Sequence, residues 1–114
     1  MTAVVELTWT SVCALSALQP EAGVAVLLPD ASQVALFRTF DGALHAVDNI
    51  DPFSGAAVLS RGIVGDRGGV AVVASPIYKQ AFDLTTGACL DDPAVSIAVH
   101  EVRVLDDVVQ VRCP

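Results

Sequence analysis

Apolar and polar positions along this chain change place in short segments, most of them closed by turn residues. Val4–Trp9 predicts a first strand. Ser11–Leu18 reads as a short helical turn, with Ser11 as a cap and Pro20 as a stop. Gly23–Leu28 predicts a strand with Val24, Val26 and Leu28 on one face. Pro29-Asp30-Ala31-Ser32 is turn chemistry, and Gln33–Arg38 returns as the second strand of a hairpin. Asp41-Gly42 is a two-residue turn signal that leads into a third strand, Leu44–Asp48. Between Asn49 and Gly69 the pattern breaks. Asp51-Pro52-Phe53-Ser54-Gly55 predicts a loop, Ala56–Leu59 a helical turn, and Gly62, Gly65, Gly68 and Gly69 crowd the rest. A long stretch with little regular structure inside a small domain is usually functional. Strands resume at Val70–Ser75 and Lys79–Leu84, followed by a turn at Thr85-Thr86-Gly87 and an irregular point at Asp91-Asp92-Pro93. The end predicts a hairpin. His100, Val102 and Val104 alternate with Glu101 and Arg103, Asp106-Asp107 turns the chain, and Val109 and Val111 alternate with Gln110 and Arg112. A slip of one residue would bury those charges, so the register is specified.

Many short strands at turn-bounded spacing indicate an all-β fold, a small β sandwich or barrel, with no alternating β and α units. The 114 residues fit one domain, 1–114, with no internal repeat and no linker. Hydrophobic residues make up 54% of the chain, enough to offset chain entropy. The longest purely apolar runs, Val24–Leu28 and Val70–Ala74, are far shorter than the roughly 20 residues of a spanning helix. The first residues show no basic n-region and no long apolar stretch, so the expectation is a cytoplasmic protein without a membrane partner.

The net charge of −7 disfavours nucleic acid as a partner. Arg61, Arg67 and Lys79 nevertheless fall close together in sequence, a basic island on an acidic chain. Cys13, Cys89 and Cys113 show neither CxxC nor CxH spacing and read as reduced thiols. The glycines match neither GxGxxG nor a P-loop. His45 and His100 lie in strand patterns, and a Ser/His/Asp set drawn from Ser75, either histidine and some Asp carries no signal, since any chain of this size allows one.

Two loops carry the chemistry that remains. The first holds Asn49-Ile50-Asp51. The second holds Ser75-Pro76-Ile77-Tyr78-Lys79, followed by Phe82-Asp83, Thr86-Gly87 and Pro93-Ala94. This layout resembles the Rieske domain, in which Cys-x-His and Cys-Pro-x-His-Gly loops converge on a [2Fe–2S] cluster. Asn49 and Ser75 stand where the cysteines would be, Asp51 and Tyr78 where the histidines would be. A Rieske centre needs two thiolates on one iron and two imidazoles on the other, and oxygen and amide donors suit it poorly. The expectation is a chain without a cluster or other metal. Its four vacated positions would be hydrogen-bonded instead, with Asp51 bonded to the Tyr78 hydroxyl or to Lys79.

The blocks Val47–Ala56, Leu59–Asp66 and Ser75–Gln80 narrow the resemblance to the small subunits of NAD(P)H-dependent assimilatory nitrite reductases, over Val12 to Val111. The resemblance implies a Rieske-like β sandwich with two converging tip loops. It also implies a large catalytic partner subunit that carries FAD, a [4Fe–4S] cluster and sirohaem and reduces nitrite to ammonium. This chain would be an accessory subunit with no cofactor of its own. It would dock through the Asp51–Gly69 and Tyr78 loops, with Phe53, Arg61, Arg67 and Lys79 as contacts. The alternatives are a Rieske-type [2Fe–2S] ferredoxin serving an oxygenase or reductase, and a binding module for a small anion at the basic island.

Overall fold

The computed structural model of the chain describes residues 8–113. The Val4–Leu7 part of the first expected strand lies outside them. Ten strands form three antiparallel sheets. Strands β1 (Thr8–Ala14), β9 (Val102–Leu105) and β10 (Val108–Cys113) make one, in the order β1-β10-β9. Strands β2 (Gly23–Leu27), β3 (Gln33–Arg38), β4 (Leu44–Asp48) and β8 (Val99–His100) make the second, in that order. Strands β5 (Ile63–Arg67), β6 (Val70–Ala74) and β7 (Ala81–Asp83) make the third. Among the described residues there is no α-helix, and no helix is long and apolar enough to cross a membrane.

The second sheet is the middle of the molecule. Its strand β3 reads Val34-Ala35-Leu36-Phe37, all buried, and period-two geometry sends alternate side chains to opposite faces. Val34 and Leu36, with Ala46 of β4, meet Val109 and Val111 of the first sheet. Ala35 and Phe37, with Val47, meet Val64, Val73 and Phe82 of the third. A continuous apolar run is what a strand with a core on each side requires. Burying one such side chain contributes roughly 1.5–3 kcal/mol.

Three sequence expectations are corrected. Ser11 caps no helix: Ser11–Ala14 continue β1, and only Leu15–Ala17 form a single 3-10 turn. Ser11 Oγ instead accepts a bond from Gln110 Nε2 at 3.1 Å. The helical turn expected at Ala56–Leu59 is displaced to Leu59–Arg61, because Ala57 bridges Ile50 in extended form. The Asn49–Gly69 stretch is not wholly irregular, since its second half contains β5, paired with β6 from Ile63↔Ala74 to Arg67↔Val70. Gly68 and Gly69, both at positive φ (63° and 87°), form the two-residue turn between them. That double left-handed turn is open to adjacent glycines at little steric cost.

Candidate functional site

Four strands aim two loops at one end of the molecule. The first loop leaves β4 at Asn49 and returns through the 3-10 turn to β5. The second, Ser75–Gln80, joins β6 to β7. Asn49, Asp51 and Ser75 are buried at 1%, 0% and 1% exposure, whereas Tyr78 is 60% exposed.

Asn49 is bonded through both ends of its amide. Its Nδ2 donates to Gln33 Oε1 at 3.1 Å, and its Oδ1 accepts the Ser60 N–H at 2.8 Å. The Leu59 N–H donates to its carbonyl at 3.0 Å. Asn49 therefore fastens the return of the first loop to the end of β3. Asp51 folds the loop tip. Its Oδ1 accepts the Phe53 N–H at 2.9 Å, and its carbonyl accepts the Gly55 N–H at 2.7 Å. Its Oδ2 accepts the Ser75 hydroxyl at 2.6 Å, across 24 residues and fully buried. Ser75 Oγ in turn accepts the Ile77 N–H at 3.3 Å, so its own proton is free to go to Asp51. One hydrogen bond thus joins the two loops.

The expected partner of Asp51 was Tyr78 or Lys79, and the structure corrects this. The Lys79 N–H donates to the Ser75 carbonyl at 3.0 Å, and Lys79 sits at φ 63°. This tight turn turns Tyr78 out to solvent, while Ser75, at its root, faces inward. Tyr78 with Ile50 and Ile77 (both 43% exposed) leaves an apolar crown around the buried polar pair.

The basic island is split. Arg61 and Lys79 are exposed beside the two loops. Arg67 lies at the other end of β5, and its guanidinium bonds Asp91 at 3.2 Å. The Ala81 N–H (2.8 Å) and then Arg67 hold the Asp91 carboxyl below its ordinary value. Phe53 is half-buried under the first loop, with its ring centroid 6.2 Å from that of Phe82. Gln33, Asp91, Ile50 and Ile77 were not singled out from sequence. Only the two isoleucines carried a signal, as apolar residues beside polar loop positions.

The chain matches a model described as a Rieske-like [2Fe–2S] domain over residues 8–112. It is 44% identical over 105 residues to the nitrite reductase (NADH) small subunit of Escherichia coli K12, covering 91% of this chain and 96% of that one. The chain belongs to the nitrite reductase small-subunit family, built on a Rieske-like domain. Other similar proteins extend the picture. A crystal structure assigned to the NADH-dependent nitrite reductase small subunit of Mycobacterium tuberculosis superposes with a TM-score of 0.91 at 60% identity, over 95% of this chain and 96% of that one. A stretch of the nitrite reductase [NAD(P)H] large subunit of Klebsiella oxytoca is 41% identical over 96 residues, which is 84% of this chain and 10% of that one. The family's domain type implies a [2Fe–2S] cluster, and the four residues at the loop tips do not fit it. They offer a carboxylate, a hydroxyl, an amide and an outward phenol where thiolates and imidazoles are needed. Cys13 lies on β1 and Cys89 beyond β7, both outside the two loops.

Proposed function

We propose that this chain is the accessory small subunit of an NAD(P)H-dependent nitrite reductase. It binds the flavin- and sirohaem-bearing large subunit through the two-loop tip and carries no redox centre itself. The observation that supports this most is the Ser75–Asp51 hydrogen bond. It ties the loops together with groups that cannot hold iron–sulfur, beneath an exposed crown of Ile50, Ile77 and Tyr78. Exposed aromatic and aliphatic side chains on a fixed frame are how interface centres are built. The stretch of the K. oxytoca large subunit similar to this domain points the same way. Two modules joined in one chain elsewhere are reasonable partners when separate. Arg61 and Lys79 supply charge at the edge of the crown, and Phe53 supports it from beneath. Arg67, paired with Asp91, contributes less.

Co-purification of the tagged chain with its large subunit tests the reading. Tyr78→Ala and Arg61→Glu/Lys79→Glu should each weaken the complex by about tenfold or more. Retention of the large subunit at wild-type level by both variants at moderate salt would overturn it. The ferredoxin alternative requires four ligands that the tip does not offer.

A further inference from the structure

The end of the domain away from the tip carries a groove of about 600 Å³. It lies between the β3–β4 turn and the β5–β6 turn, with the residues after β7 as its third wall. Strand β4 runs from this groove to Asn49, and β6 from this groove to Ser75. A five-residue strand at about 3.3 Å per residue separates the two ends by roughly 16 Å. The groove is therefore a surface distinct from the tip.

Its chemistry is one-sided. Glu21, Asp41, Asp66 and Asp83 line it, His45 joins them, and among the described residues no Lys or Arg does. Val64, Val70 and Ala71 give it an apolar floor. Phe40 stands on its edge at 81% exposure, the most exposed large apolar residue among those described. Two of the carboxylates are held in place. Asp41 accepts the Thr39 hydroxyl and the Ala43 N–H, and Asp83 accepts the Thr85 N–H at 2.8 Å. No group of three metal-ligating side chains converges among the described residues, so the acids do not form a cation cage.

We propose that this groove is a second docking surface, for a Lys- or Arg-bearing segment of the large subunit. This rests on the proposed assembly with that subunit. Long basic side chains lay their aliphatic stems on an apolar floor while their charges meet a carboxylate rim. Complementary charge of this kind speeds encounter and sets orientation, and Phe40 supplies the apolar anchor beside it. A domain held at both ends has a fixed orientation on its partner, which the tip alone does not give.

The test uses the full-length subunits and their dissociation constant by interferometry at low and moderate salt. Phe40→Ser should weaken binding about tenfold. Glu21→Gln/Asp66→Asn should weaken it at low salt and flatten its salt dependence. Both variants should melt like the wild type, since these side chains are exposed. The tip variant Arg61→Glu/Lys79→Glu runs alongside. If it weakens binding while both groove variants stay within about twofold of wild type, the groove is not a contact and the proposal falls. If no variant at either end changes binding, the assembly reading fails and takes this one with it.

Discussion

Ser75→Ala removes a single hydroxyl and tests what holds the tip together. Asp51 Oδ2 has Ser75 Oγ as its donor, at 2.6 Å, and Asp51 is fully buried. The variant leaves that oxygen without a donor in a site closed to water, and the Ile77 N–H loses its acceptor as well. A hydrogen bond to a charged group is worth about 1.5–3 kcal/mol, and a buried orphan acceptor costs a similar amount. A loss of about 2 kcal/mol is expected. It would appear as a lower urea midpoint at unchanged slope, and as a fall in melting temperature of about 8 °C for a domain of this size. Ser75→Cys, with a weaker donor, should fall between the two. The cycle with Asp51→Ala isolates the pair. The double variant should be more stable than the sum of the single losses by about 1.5 kcal/mol or more. A Ser75→Ala loss under about 0.5 kcal/mol, or strict additivity, would show that the loops do not depend on this bond.

Three other outcomes follow from the same structure. Gly87 sits at φ 80°, where an added Cβ would overlap the Ile97 carbonyl oxygen; Gly87→Ala should cost about 3 kcal/mol or more in thermal melts, and a near-wild-type melt would contradict the geometry. Phe53→Ala removes a half-buried ring from its place against Phe82, with an expected loss of about 2 kcal/mol in urea unfolding. The Asp91 carboxyl is held below its ordinary 3.8, first by the Ala81 N–H and then by Arg67. Its contribution is therefore fully present above 3.8 and disappears as pH falls through the lower folded value. The stability gap between wild type and Asp91→Asn should close over that acid range, and a gap that stays constant there would refute the assignment.

Three strands of the middle sheet were legible in the sequence, because they are segments closed by turn residues; its edge strand β8 was not, since His100 reads with the closing hairpin but pairs with Ala46 of β4. Gln33–Arg38 and Leu44–Asp48 occur with those very bounds. Strand β5 was not legible. Ile63-Val64-Gly65-Asp66-Arg67 has two apolar residues and one buried side chain, so its extended form comes from pairing with β6, a tertiary effect that propensity does not contain. At the tip, the resemblance to the Rieske loops located the four altered positions, but not their pairing. Ser75 and Tyr78 are three residues apart, and the bond from the Lys79 N–H to the Ser75 carbonyl decides which of them faces inward. Gln33 shows the same limit. It holds Asn49 from 16 residues upstream, and nothing local marks it.

In the proposed reading, hydrogen bonds stand at the tip in place of an iron–sulfur centre. The most direct measurement is the iron and acid-labile sulfide content of the chain, purified without air from cells supplied with iron, together with its visible absorption. A colourless protein with iron at background is expected. Two irons and two sulfides per chain, with the brown colour of a [2Fe–2S] cluster, would contradict it.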